Sequence, residues 1–451
     1  MRGSKIKTFI FALIFIGLIF GVIGVLNSDS MDPEPPKISI NDEIYWNQKA
    51  PIDLNISDNS TLQSFKITLI DGQNAHIIMD EKFSEPKTEA QINIKFPKSL
   101  ILDKNRSYEL LIEAKDSSFL GGNAASKKIN LIIDSKNPQI QLINQSYKIT
   151  KGGSAVVVFK AVDENLQSVY IESADRIFKP TKFVKDGYWA SLVAWDLQSP
   201  NFKARVVAVD KAGNKSFASI GYYLQDRKYR ESRIALGDRF LDGKIDELAN
   251  QYAQNYPELD RLAKFKFVNE TLRDSNENII HRVTSAVPEE IIESFYIEPF
   301  YPLRNGAAVA SFGDHRFYTY NGADVSQSWH MGLDLASTAM APIDTQNAAF
   351  VVYNDLNGIY GENIILYHGF GLYTLYGHCN ETSVKAGEHI GAKHIIGKTG
   401  TSGLALGDHL HFGVLIQGVE VRPEEWMDRK WMKDNIYDVL NSAKKSIIRV
   451  N

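Results

Sequence analysis

The sequence holds a single cysteine, Cys379, in 451 residues. That excludes an intramolecular disulfide and a four-cysteine zinc site, so any metal must be held by histidine and carboxylate. A basic excess is also missing. Lys and Arg number 50 against 54 Asp and Glu, a formal charge of −4, which offers nucleic acid no electrostatic footprint. Long uncharged apolar runs are absent but for one. What is present is ample apolar material: 44% hydrophobic and 11% aromatic residues, enough for packed cores and too much for a disordered chain. A chain of 451 residues is expected to divide into roughly two to four folded units.

The one long apolar run is Thr8–Leu26, 19 residues without a charge. It matches the roughly 20 residues that cross a bilayer. Arg2, Lys5 and Lys7 precede it, and Asp29, Asp32 and Glu34 follow. The positive-inside rule then puts residues 1–7 in the cytoplasm and the bulk of the chain in the periplasm, with 8–26 a single-pass anchor in the inner membrane. A cleaved signal peptide is the alternative, disfavoured by the length of the run and the want of an A-x-A-like site after it.

Residues 27–36, with Pro33, Pro35 and Pro36, read as a linker. Beyond it come short alternating runs such as Ile52–Ile56, Phe65–Ile70 and Tyr108–Ala114, which read as strands. The region repeats itself. Pro36-Lys-Ile-Ser-Ile40 resembles Pro138-Gln-Ile-Gln-Leu142, and Leu111–Asp116 resembles Val206–Asp210. Two immunoglobulin-like β-sandwich modules are expected, 37–134 and 135–227, as spacers or as the seat of a protein partner. Helical spacing of apolar residues then marks 228–300 as a connector, with Pro288 and two glutamates opening a further helix. Alternation returns over 301–427, and 428–451 reads as a closing helix. The fold class expected is mainly β and multidomain.

Eight of the ten histidines lie between His315 and His411. Such clustering first suggests metal. In Trp329-His-Met-Gly-Leu-Asp-Leu335, a strand would send His330 and Asp334 to one face and Met331, Leu333 and Leu335 to the other. In Asp408-His-Leu-His-Phe-Gly-Val414, His409 and His411 share a face. Two imidazoles there are costly to bury without partners. Leu375-Tyr-Gly-His378 lies between the two motifs. HxxxD or HxH alone arises by chance; both in one short β region are far more specific.

These residues resemble the M23 (LytM/lysostaphin-type) zinc metallopeptidases, whose pattern is HxxxD, then a lone His in a Y-x-H element, then HxH. The flanks Ser311–Phe317, Val384–Gly391, Gly397–Gly403 and Arg422–Trp426 fit as well. The resemblance covers about 310–427. It implies a C-terminal antiparallel β-sheet peptidase domain with a zinc groove built from Gln327–Leu335, Tyr376–Cys379 and Asp408–Phe412. It also implies one zinc ion per chain, held by His330, Asp334 and His411, with His378 and His409 beside the metal-bound water. Three protein ligands leave one position open, as catalytic zinc requires. Asp408 stands where the family often has proline; it is either a partner that orients an imidazole or a turn residue. Cys379 would face away from His378 on a strand, and is expected as a small buried thiol.

The resemblance implies an endopeptidase acting on the peptide crosslinks of peptidoglycan. Two other readings compete: a catalytically silent scaffold that binds peptidoglycan or activates another hydrolase, and a scaffold for a shape- or division-related complex. The presence of all five metal-region residues favours activity. From its position, 228–300 could cover the groove until displaced.

Overall fold

The computed structural model describes residues 10–11, 13–21, 33–95, 100, 102–103, 106–118, 122–174 and 176–449. Residues 10–11 and 13–21 are helical. The remainder of the expected anchor, 8–9, 12 and 22–26, lies outside the described residues, as does most of the expected linker. Among the described residues no helix is long and apolar enough to cross a membrane. The architecture is mainly β, as the alternating runs lead one to expect.

The chain divides into two compact units. The first, essentially residues up to Pro138, holds two sheets. Lys37–Ser39, Ile52–Ser57 and Glu89–Ile94 form one; Glu43–Trp46, Ala124–Ile133, Ser107–Asp116, Leu62–Asp71 and Asn74–Lys82 form the other, in that order. Period-two alternation builds the core between them. Ile52, Leu54 and Ile56 point inward while Asp53 points out.

The two stretches of sequence similarity end in the same device. Asp116 closes a strand and accepts the backbone N–H groups of Ser118 (3.0 Å) and Asn123 (2.6 Å) and the Asn123 side chain (3.0 Å). Asp210 closes another and accepts the backbone N–H and side chain of Asn214, both at 2.8 Å. A carboxylate that satisfies a turn's orphan N–H groups explains why Asp ends both segments.

The second unit contains the histidine-rich region. Its principal sheet is antiparallel, in the order Ala307–Ala310, Leu333–Ala336, Leu410–Ile416, Leu372–Cys379, Glu362–Tyr367, Ala349–Leu356, His389–Ile390. Another sheet joins Glu231–Ala235, Asp314–Tyr320 and Ala323–His330. A five-stranded sheet around Ser154–Val162 and Tyr188–Ala194 belongs to the same unit and takes Ile291–Ile292 at its edge. The span 228–300 thus lends a strand to the sheets on either side of it.

Between those strands, 228–300 is helical over Asp238–Tyr252 and Arg261–Thr284, but the further helix expected from Pro288 does not form, because Ile291–Ile292 pairs instead as a strand with Lys182–Phe183. Its apolar stripe does not hang free. Leu241, Ile245, Leu248, Phe265, Val268, Leu272 and Ile280 share one core with Tyr318, Ile359, Tyr360, Ile365, Tyr373, Leu375 and Leu415 of the sheets. Helical turns Pro423–Met427, Arg429–Met432, Lys433–Tyr437 and Asp438–Arg449 close the chain.

Candidate metal centre

Strand register brings the motifs together. Leu333–Ala336 pairs with Leu410–Ile416 so that Asp334 lies directly opposite His411, and Gly377 lies opposite His411 on the other side. Residues paired across strands have side chains on one face about 5 Å apart. His330 reaches them from a different sheet, as the last residue of Ala323–His330. The strand expected through 329–335 is therefore broken at Met331 and Gly332. The break has a steric cause: a Cβ on Gly332 would lie 2.5 Å from both Cε1 and Nε2 of His411. Glycine makes the space into which that imidazole packs.

Three donor atoms converge. His330 Nε2 lies 3.0 Å and His411 Nδ1 2.9 Å from Asp334 Oδ1, and the two nitrogens are 3.2 Å apart. All three side chains are buried. His330 Nδ1 donates to the Ser311 carbonyl at 2.8 Å. That fixes the tautomer and leaves Nε2 a bare lone pair facing a carboxylate oxygen. Two lone-pair atoms at that distance repel unless a proton or a metal ion stands between them. Two imidazole nitrogens and one carboxylate oxygen are a set zinc accepts, so these residues fit the ion that the motif implies.

Electrostatics agree. Burial alone would raise the Asp334 carboxyl, but the hydrogen-bonding imidazoles of His330 and His411 outweigh it and hold the group well below the usual carboxylate range. Burial lowers His411 by more than Asp334 raises it, which keeps the ring neutral, as a ligand must be.

His378 and His409 stand beside this trio, their ring centroids 4.8 Å apart. His378 Nδ1 donates to the Ser402 carbonyl at 2.8 Å, which leaves Nε2 without the proton. Burial, reinforced by His411 and His409, pushes its pKa down to about 3. Its backbone is left-handed, with φ of 61°, a conformation that costs a non-glycine residue about 1–2 kcal/mol. His409 Nδ1 lies 2.7 Å from the Gly407 carbonyl, and its Nε2 is 3.7 Å from Asp334 Oδ2. His409 precedes the strand and is tied to Gly400 by an isolated bridge. All five residues line one cavity of about 350 Å³.

The remaining expectations resolve as follows. Asp408 touches no imidazole: it accepts Thr399 Oγ1 at 2.5 Å and the Met340 backbone N–H at 3.0 Å, pinning the loop ahead of His409. Cys379 is fully buried, its thiol 3.6 Å from the Tyr376 carbonyl and pushed up to about 12 by burial, which disfavours the thiolate that a ligand needs. His368 is a buried structural residue bonded to Thr374 at 2.7 Å. His315 stacks on Trp329 at 4.0 Å. His389 and His394 are exposed.

Among the cavity residues that sequence reasoning missed are Tyr360, packed edge-on against His411 at 5.5 Å, and Phe240 and Arg273. Phe240 and Arg273 come from the helical span. Helical periodicity was visible there, but not what the helices face.

Residues 328–423 match the model of Peptidase family M23. Over that span the chain is similar to the M23 peptidases, a family of zinc metallopeptidases, and the His/Asp/His trio lies within it. Among curated proteins, it is 29% identical over 108 residues to the DD-carboxypeptidase/endopeptidase Mpg of Neisseria meningitidis, covering 24% of this chain and 25% of that one. It is 29% identical over 204 residues to the peptidoglycan DD-endopeptidase ShyC of Vibrio cholerae, covering 45% and 44%. The chain thus spans from a quarter to less than half of the length of these relatives. Among solved structures, a zinc containing peptidase from Vibrio cholerae aligns with 71% of this chain and 56% of that one, at 13% identity and a TM-score of 0.27.

Proposed function

We propose that the protein is a zinc-dependent endopeptidase that hydrolyses the peptide crosslinks of peptidoglycan in the periplasm, anchored in the inner membrane by residues 8–26. In this reading the two β modules, 37–134 and 135–227, are immunoglobulin-like spacers that also offer a surface to a protein partner. The observation that carries the proposal is the convergence of His330 Nε2, Asp334 Oδ1 and His411 Nδ1 within 3.2 Å of one another, with two further imidazoles on the same cavity. The named relatives supply the substrate class.

His330, Asp334 and His411 hold one zinc ion, which when bound supplies Lewis-acid polarisation of the scissile carbonyl and acidifies a water. The chain's own groups do the rest. His378 enters the reaction neutral, its Nε2 free to take a proton from the attacking water. Burial makes the resulting imidazolium unstable, which favours passing the proton on to the leaving amine. His409, whose Nδ1 donates to the Gly407 carbonyl, presents Nε2 as an acceptor on the same cavity, where it can orient the attacking water.

The test is to incubate the zinc-loaded chain and a His411→Ala variant with purified peptidoglycan and identify released muropeptides by mass. Loss of crosslinked dimers with the wild type alone is the expected result. Identical profiles would sink the enzyme reading in favour of a silent scaffold.

A further inference from the structure

Two arginines line the cavity that holds the five metal-region residues, and they differ in how they are engaged. Arg316 Nε lies 3.3 Å from Asp314 Oδ2, a buried carboxylate that also accepts Ser232 Oγ at 2.7 Å. Its charge is neutralised by a close partner. Arg273 is held differently. Its Nε donates to the Asn269 carbonyl and its Nη2 to Asn269 Oδ1, both at 3.2 Å. Asn269 is itself 2% exposed and fastened to the strand that ends at His330: its Nδ2 donates to Ser326 Oγ at 2.9 Å and to the Gln327 carbonyl at 3.2 Å.

The guanidinium is thus fixed in orientation by neutral groups. The carboxylate beside it, Glu277 Oε1, is 3.9 Å from Nη1, beyond hydrogen-bond reach. Burial pushes the Glu277 carboxyl up to about 7 despite Arg273, so near neutrality it carries only part of a charge. Among the described residues, Nη1 makes no hydrogen bond. A guanidinium that lines the cavity, is oriented by neutral acceptors and is paired with Glu277 only at 3.9 Å keeps donors with which to recognise a carboxylate, by charge-assisted and geometrically selective bonds.

We infer that Arg273 is a specificity-determining residue that binds a free carboxylate of the peptide substrate beside the scissile bond. The inference rests on the peptidase reading above. It adds a recognition group from a helix outside residues 328–423, the span that matches the family. The carboxylate has two sources, the C-terminus of the peptide or an acidic side chain, and both present the same planar anion.

The experiment uses the zinc-loaded full chain and three synthetic crosslinked peptides: one with all carboxyls free, one amidated at the C-terminus, one amidated at the side chain. The wild type is expected to lose about tenfold in kcat/KM, chiefly through KM, on one of the two amidated peptides, which identifies the source. Arg273→Gln should level that preference, and Arg273→Lys should keep part of it. Should Arg273→Gln fail to fold, the Lys variant still reads the preference, because it keeps charge but loses the planar fork. Equal kcat/KM on all three peptides would overturn the proposal, as would an undiminished preference in Arg273→Gln. So would a preference that vanishes in Arg316→Gln instead. No hydrolysis of any peptide by the wild type would overturn the peptidase reading, and this proposal with it.

Discussion

Asn276 Oδ1 accepts the backbone N–H of Ile359 at 2.9 Å, and the Asn276 carbonyl accepts Asn357 Nδ2 at 3.3 Å. Asn276 belongs to the helix Arg273–Thr284; Ile359 belongs to the turn Gly358–Tyr360, whose last residue packs against His411. One buried amide therefore ties a helix outside the family span to the wall behind a proposed zinc ligand. Replacing Asn276 with Ala strands the Ile359 N–H in a site where both residues are 4% exposed. A buried donor without an acceptor costs about 1–3 kcal/mol. Asn276→Ala is expected to lower the melting temperature and to reduce kcat while zinc remains bound. Thermal unfolding with metal analysis on the same sample checks it; an unchanged melting curve would refute the link.

Gly332 gives a sharper test of the metal site than removal of a ligand. A Cβ there meets the His411 ring at 2.5 Å and the Phe412 carbonyl at 2.9 Å. Backbone cannot give way cheaply, so the ring must move, and Nδ1 with it. Gly332→Ala should weaken zinc binding at least about tenfold, since one of three ligands leaves its place. Competition against a chromophoric chelator measures this. Wild-type affinity in the variant would mean that His411 is not a ligand.

Stability should depend on pH through Glu425. Its carboxyl is 4% exposed and accepts the Ser154 backbone N–H at 3.0 Å, but burial dominates and pushes its pKa up to about 7 from an ordinary 4.5. The folded state thus holds this proton more tightly than the unfolded one. The resulting stability is fully present below about pH 4.5 and is lost as pH rises to about 7. The shift is worth roughly 3 kcal/mol. Denaturant unfolding at pH 5 and pH 8 should show the folded state weaker at pH 8. Glu425→Gln should remove that share of the difference, leaving what Glu277, raised for the same reason, contributes. A slope of opposite sign would contradict the assignment.

That His330, Asp334, His378, His409 and His411 would come together on one cavity was legible because they are dense and their types are specific. Their pairing was not. That Asp334 opposes His411 is a property of strand register, and register is set by the partner strand, which no single segment encodes. Asp408 stayed ambiguous for a related reason. Its acceptors serve Thr399 and Met340, 9 and 68 residues away, and a turn carboxylate looks the same in sequence whichever donor it meets. Mainly β architecture followed from alternation. The destination of the helical stripe over 238–284 did not, because periodicity shows that a face is buried and not against what.

That stripe decides the last prediction. Position alone suggested that 228–300 could cover the groove and be displaced from it. The structure gives the span two roles at once: Leu236, Gly237, Phe240 and Arg273 line the cavity, while Leu241, Ile245, Phe265, Val268 and Ile280 fill the core beneath. Each fully buried aliphatic or aromatic side chain contributes about 1.5–3 kcal/mol. Displacing the helices would expose Tyr373, Leu375 and Leu415 as well, at a cost beyond the stability of an ordinary domain. A chain that begins at residue 300 is therefore expected to be insoluble or molten and less active than the full chain, not released from inhibition. Near-ultraviolet circular dichroism and peptidoglycan hydrolysis, measured on both chains, decide it. A well-folded shorter chain with higher activity would show that the helices restrain the site rather than build it.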